Sequence, residues 1–282
     1  MDTLSGIIRT ASVFTILLAV AKAGLAVEII AHRGASFDAP ENTLAAVNLA
    51  WKRNADAVEI DVTLSRDGKI VVVHDETTKR YGGPNKKIVE QTLAELKRID
   101  VGTWKNKKWA DARIPTLSQV LRTIPEKKRL FIEIKCGVEI IPELKRVIRA
   151  SGKKPRQTVC ISFSLPTITA VKRALPKIEA AWIIGLKQNR QTKQWTPSLG
   201  TIIRKTKAAF LDGVDLSAKK VIDRKYVDRV RKAGLHFYVW TVDSQTQARK
   251  LIDAGVEGIT TNRPGRLRKQ LTAKPRVKPG FP

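Results

Sequence analysis

Two histidines, an arginine, a lysine and five carboxylates sit at or near the ends of short apolar runs in the first half of the sequence. The first group reads His32-Arg33-Gly34-Ala35, followed by Pro40-Glu41-Asn42-Thr43. The second is Glu59-Ile60-Asp61-Val62, the third His74-Asp75, and the fourth Glu133-Ile134-Lys135. The runs they end or interrupt are 27–31, 57–64, 70–73 and 130–134. Buried strands rarely carry unpaired charge. Four strands that bring His, Arg, Glu, Asp and Lys to their ends point to one shared polar site on a β scaffold.

The residue types define the chemistry. Glu59 and Asp61 are two apart on a strand, so their side chains share a face. Glu133 and Lys135 repeat that spacing on another strand. If Glu59, Asp61 and Glu133 all point inward, three carboxylates converge, and packed like charges need a cation. Two sources of that cation stand open. One is a hard divalent ion, Mg²⁺ or Ca²⁺, suited to all-oxygen ligation. The other is internal, with Arg33 and Lys135 neutralising the acids. His32 and His74 are two of only three histidines in the chain. Imidazoles paired at neighbouring strand ends can act as general acid and base. Arg33 and Lys135 supply fixed positive charge, and a guanidinium fork is a natural phosphate clamp. Together these groups describe phosphoester chemistry. His236, within the run LHFYVW, has no such company and reads as structural.

The elements that must position these groups alternate in period. Strand-like runs occur at 27–31, 57–64, 130–135, 158–162, 180–184, 213–216, 236–242 and 258–261, with helical patterns between them. Asp67-Gly68 turns the second run back into 70–73, a hairpin signal. Strict β–α alternation predicts a parallel sheet covered by helices. Eight units without a G-x-G-x-x-G fingerprint predict a closed (β/α)8 TIM barrel spanning 27–271, of the α/β class, with its site at the C-terminal strand ends. Residues 76–113 form a short insertion after the second strand region, with ten basic and five acidic residues and a helical stretch near 92–99. It is expected to overhang the mouth.

Bulk properties frame the rest. The chain has 282 residues and a net charge of +27. Such a field attracts phosphate esters, anionic membranes and cell-wall polymers alike. No helix-turn-helix, zinc-finger or RNA-recognition signature accompanies it, so no specific nucleic-acid partner is expected. Residues 11–21 are apolar and uncharged, Arg9 precedes them, and Ala21-Lys22-Ala23 has the small-x-small pattern of a signal-peptidase site. Residues 1–23 therefore read as a secretory signal, with an uncleaved anchor as the alternative, and the protein as exported. Residues 273–282 hold three prolines and no acid and read as a disordered basic tail. Cys136 and Cys160 read as buried free thiols, with a single bridge as the alternative.

The motifs in order resemble the bacterial glycerophosphodiester phosphodiesterases. Added to those above are Ile114-Pro115-Thr116-Leu117, Ser162-Phe163, Trp240-Thr241-Val242 and the closing Gly255…Gly258-Ile259-Thr260-Thr261-Asn262-Arg263-Pro264. The resemblance implies metal-dependent hydrolysis of glycerophosphodiesters to glycerol 3-phosphate and an alcohol. Glu59, Asp61 and Glu133 would hold the metal, with Glu41 near it and in reach of substrate. His32 and His74 would be the acid–base pair, and Arg33 and Lys135 would bind phosphate. Trp240 and Phe163 would line the pocket. The alternatives are phospholipase D-like cleavage of lysolipids or sphingolipids, and a non-catalytic barrel that binds anionic polymer or lipid. Three stretches depart from the family pattern. Thr78-Lys79-Arg80-Tyr81-Gly82-Gly83 stands where many relatives are Thr-rich. Asn262 stands where Asp is common, and Asp243 where Asn is common.

Overall fold

Each β-run carries apolar side chains on both faces, which a strand tolerates only when both faces are covered. The computed structural model, which describes residues 27–273, meets that demand with a closed barrel. The 1–23 signal segment and all but the first residue of the 273–282 tail lie outside the described residues.

In chain order the strands are β1 (Glu28–His32), β2 (Ala57–Leu64), β3 (Ile70–Val72), β4 (Arg129–Ile134), β5 (Thr158–Ser162), β6 (Glu179–Ile184), β7 (Lys187–Gln188), β8 (Trp195–Thr196), β9 (Gly213–Ser217), β10 (His236–Trp240) and β11 (Gly258–Thr261). The helices are α1 (Leu44–Lys52), α2 (Leu93–Leu96), α3 (Leu117–Thr123), α4 (Ile141–Ala150), α5 (Leu165–Ala174), α6 (Leu199–Ala208), α7 (Arg224–Lys232), α8 (Gln245–Ala254) and α9 (Pro264–Thr272). Strands β1, β2, β4, β5, β6, β9, β10 and β11 pair in parallel, and β11 returns to β1 to close the cylinder. This is a TIM barrel. The expected eight strands and the β2–β3 hairpin are all present. The β7–β8 hairpin has no counterpart in the sequence reading, and its two-residue strands are too short to carry a period.

Alternation along the strands decides what faces the lumen. On β2, Val58, Ile60 and Val62 pack outward beneath the helices, while Ala57, Glu59 and Asp61 take the opposite face. Ile30, Ala57, Phe131, Val159, Ile161, Ala181, Ile183 and Tyr238 fill the lumen as one apolar plug. Below it, Arg129 pairs with Glu28 at 3.0 Å and Glu179 at 2.5 Å, and Tyr238 donates to Glu179 at 2.6 Å. The bottom of the barrel therefore carries its own internal cation. Cys160 is buried in the outer core and Cys136 half-buried, and neither is bridged. Burial pushes the Cys160 thiol up to about 12.

The segment after β3 builds a small core of its own. Tyr81, Ile88, Leu96, Ile99, Val101 and Ile114 pack on Val71 and Val73. Its helical content is less than the 92–99 pattern predicts: α2 is a single turn with a Thr92–Glu95 capping box. The segment reaches the mouth, where Lys105 Nζ donates to the Ser36 carbonyl at 2.8 Å.

Candidate active site

The two carboxylates of β2 are almost fully buried, at 3% and 1% exposure for Glu59 and Asp61. Register places His32 beside Glu59 across β1–β2, and Asp61 beside Glu133 across β2–β4. Each has a fixed neighbour. Glu59 Oε2 accepts the Arg33 backbone N–H at 2.8 Å. Asp61 Oδ2 accepts from Asn42 Nδ2 at 2.8 Å, and the Asp61 N–H donates to Asn42 Oδ1 at 3.1 Å. The chain reaches these positions through left-handed residues, Arg33 at φ +54° and Asn42 at φ +57°. Between them Gly34 lies at φ +80°, and a Cβ there would stand 2.5 Å from the Ala46 carbonyl carbon. Only glycine fits. Thr43 caps α1, accepting from the Ala46 N–H at 3.2 Å. Asn42 instead holds Asp61.

Cations are present but do not cover the acids. Lys135 Nζ lies 2.8 Å from Glu133 and 3.7 Å from Asp61 Oδ1. Arg33 reaches Glu41 at 2.9 Å and Asp61 Oδ2 at 3.1 Å. Glu59 Oε1 and Asp61 Oδ1 remain buried without a hydrogen-bond partner. Oxygens of Glu59, Asp61 and Glu133 lie within 4.8 Å of one another. Burial, reinforced by Asp61 and Glu133, pushes the Glu59 carboxyl well above the usual carboxylate range. Glu133 is raised by burial and by Asp61. Orphaned oxygens on an all-carboxylate cluster fit a hard divalent cation. Internal neutralisation by Arg33 and Lys135 therefore accounts for only part of the charge.

Glu41 stands apart from this trio. It groups with His74 and Asp75. Arg80 joins that group, 2.7 Å from Glu41 and 2.6 Å from Asp75. Burial alone would raise Glu41, but Arg80 and Arg33 hold it at about 2. Glu41 thus anchors Arg33 and ties the segment after β3 to the mouth.

One cavity of about 140 Å³ at the C-terminal strand ends brings together His32, His74, Arg33, Lys135, Glu59 and Glu133. Phe163 and Trp240 complete its wall as an edge-to-face pair, 5.5 Å between centroids. His74 arrives from the β3 hairpin rather than from a barrel strand, and its Nδ1 sits 2.9 Å from Asp75 Oδ1. His32 Nδ1 sits 2.8 Å from Asn262 Oδ1. Burial, then Arg33, lowers the His32 pKa. A larger concavity of about 340 Å³ beside Trp109, Arg113 and Gln119 holds none of these histidines or clustered carboxylates. His236 begins β10 at the opposite barrel end and contacts Glu257 at 2.6 Å.

Sequence reasoning missed five side chains around this cavity. Asp215 on β9 lines it, with Oδ1 buried and unpartnered, and burial pushes its carboxyl well up. Its run, Gly213-Val214-Asp215-Leu216, carried the signal, a lone acid inside a buried strand. Asn42, Arg80, Asp243 and Asn262 were visible in the motifs but had no partners assigned.

A TIM barrel whose mouth combines a buried carboxylate trio, two histidines and two fixed cations defines a phosphoester-hydrolysing type of site. The glycerophosphoryl diester phosphodiesterase family model matches residues 32–266. The chain belongs to that family. It is 33% identical to a glycerophosphodiester phosphodiesterase of Caldanaerobacter subterraneus over 244 residues, 85% of this chain and 95% of the relative. Among solved structures it resembles an Oleispira antarctica phosphodiesterase in complex with the product sn-glycerol-3-phosphate. That match has a TM-score of 0.77 and 26% identity, covering 87% of this chain and 97% of the other. A Thermotoga maritima glycerophosphodiester phosphodiesterase matches with a TM-score of 0.68 at 27% identity, covering 86% and 98%. The protein is an enzyme, a phosphoric diester hydrolase of the glycerophosphodiester phosphodiesterase type.

Proposed function

We propose that the protein hydrolyses glycerophosphodiesters to glycerol 3-phosphate and an alcohol with one divalent cation, Mg²⁺ or Ca²⁺, held by Glu59, Asp61 and Glu133. The carrying observation is that His32 and His74 line one cavity with Glu59 and Glu133, whose oxygens cluster with those of Asp61, and that Glu59 and Asp61 each leave an oxygen buried and unpartnered. The product bound to the Oleispira relative supports the substrate class.

Arg33 and Lys135 hold the phosphate oxygens, the first as a fork and the second as a point charge. The cation supplies Lewis-acid stabilisation of charge growing on the phosphoryl oxygens. One of His32 and His74 takes the proton from the attacking oxygen as it bonds to phosphorus. The other protonates the alcohol oxygen as its P–O bond breaks. Asp75 orients His74 for this, and Glu41 keeps Arg33 aimed at the cavity. Phe163 and Trp240 give the organic part of the diester an apolar wall.

The test is a panel of glycerophosphodiesters with different alcohols, run beside lysolipids and sphingomyelin, with glycerol 3-phosphate and free headgroup both measured. Glycerol 3-phosphate release from the soluble diesters is expected. Headgroup release from lysolipid or sphingomyelin alone would replace this reading with the phospholipase D-like one.

Residues 1–23 act as an export signal, so the mature N-terminus is expected near Gly24 in a periplasmic or secreted fraction. The basic surface draws the enzyme to anionic membrane or cell-wall polymer. Exposed Phe37 and Trp104 support this, since Arg263 lies 3.6 Å over the Phe37 ring and Lys105 5.7 Å from Trp104. Aromatic rings beside cations suit a lipid interface.

A further inference from the structure

Asn262 and Asp243, the two departures at the closing strands, are each other's partners. Asn262 Nδ2 donates to Asp243 Oδ2 at 2.7 Å, and the Asn262 backbone N–H donates to Asp243 Oδ1 at 2.9 Å. Thr261 Oγ1 donates to the same Oδ1 at 2.8 Å. On its other side, Asn262 Oδ1 meets His32 Nδ1 at 2.8 Å and accepts from Ser36 Oγ at 3.1 Å.

These contacts leave one consistent assignment of hydrogens. An ionised carboxylate can only accept. The Asn262 amide must therefore turn its NH₂ to Asp243 and its oxygen to His32. That oxygen also only accepts, so His32 Nδ1 must carry a hydrogen. The neutral ring then keeps its lone pair on Nε2, the nitrogen 4.0 Å from Glu59.

We infer that Asp243 is a positioning residue that fixes the tautomer of His32 through the amide of Asn262. The inference gives that tautomer its use only if His32 transfers a proton, as proposed above. In Asp243→Asn the new amide oxygen takes over the bonds from Thr261 and the Asn262 N–H, which turns its NH₂ toward Asn262. The Asn262 amide then flips, offers NH₂ to His32, and forces the hydrogen onto Nε2. Exchanging the two residues restores the original sense. An Asp at 262 accepts from His32 directly, and an Asn at 243 donates to that Asp.

The test reads the ring directly. Protein with ¹⁵N-labelled histidine is observed by two-bond ¹H–¹⁵N correlation at pH 8, with His32 assigned by its loss in His32→Gln. The Nδ1–H form is expected in wild type and in Asp243→Asn/Asn262→Asp, and the Nε2–H form in Asp243→Asn. In turnover, Asp243→Asn should lose about 10–100-fold in kcat, the range for an outer residue that orients a working one. KM should move less than about threefold, and the exchange should recover most of the kcat loss. An Nε2–H ring in wild type overturns the inference even if no variant folds. So does an Nδ1–H ring in Asp243→Asn, or an exchange variant that keeps the Nε2–H form. A switched tautomer with unchanged kcat would leave the inference standing and overturn the role of His32 in proton transfer.

Discussion

Glu59 accepts the Arg33 backbone N–H with one carboxylate oxygen and leaves the other buried and unpaired. The same residue thus closes β1 onto β2 and offers a free ligand atom. Glutamine can keep the first role but not the second. Glu59→Gln should lower divalent-cation affinity at least about 10-fold, no less than loss of an outer-shell partner would. It also removes a carboxyl whose ionisation burial, Asp61 and Glu133 all disfavour. Metal-free Glu59→Gln should therefore melt no lower than wild type, while the metal-induced rise in Tm shrinks. Calorimetric titration with Mg²⁺ and Ca²⁺, followed by thermal melts, checks both halves.

The three histidines should separate by position. His32→Ala and His74→Ala should each lower kcat by at least about 10²-fold, the lower range for lost general acid–base catalysis. His236→Ala, at the far end of the barrel beside Glu257, should leave the chemical step nearly intact. Wild-type rates in either of the first two would remove that residue from the mechanism.

Metal-free stability should fall as pH rises from the ordinary carboxylate range of about 4.5 through about 7. Glu28 is raised to about 7 by burial, and Glu59 lies well above its usual range. A folded carboxyl with a raised pKa holds a proton that the unfolded chain has released, so stability drops as pH passes through the folded value. His236, raised by Glu257, adds in the same sense. Lowered His32 works oppositely, but its contribution is complete once pH exceeds the ordinary imidazole value. Glu41, held at about 2, acts only in acid. Urea unfolding in chelator should show this slope. It should be shallower in Glu59→Gln, and saturating Mg²⁺ or Ca²⁺ should stabilise more at pH 8 than at pH 6.

Association with anionic vesicles should weaken steeply with salt, because exposed charges act over about 8 Å at physiological ionic strength. Lys107→Glu/Lys108→Glu should mimic added salt. Lys105 is left intact because it also bonds the Ser36 carbonyl. Hydrolysis of a small soluble diester should change far less. Absence of vesicle binding at low salt would reduce the surface charge to a solvated face.

The barrel was legible because its strands are buried on both faces and its helices carry a second period. The clusters were legible for the complementary reason: Glu59, Asp61 and Glu133 interrupt runs that should be apolar. What stayed hidden depends on contacts between distant segments. Asn42 stands beside a helix cap in sequence, but its side chain goes to Asp61. Arg80 follows His74 by six positions, yet it pairs with Glu41 on another loop. Asp243 and Asn262 looked like two independent departures until pairing made them one unit. Asp215 was overlooked because a single acid in a strand has no spacing to read.

A divalent cation on the Glu59–Asp61–Glu133 cluster should be required for diester hydrolysis. Glycerol 3-phosphate release from glycerophosphocholine, by protein stripped with chelator and then titrated with Mg²⁺ or Ca²⁺, tests it most directly. No turnover is expected in chelator, with recovery on adding either ion or both and no recovery in Asp61→Asn. Full turnover in excess chelator would contradict this requirement and leave Arg33 and Lys135 as the only positive charge at work.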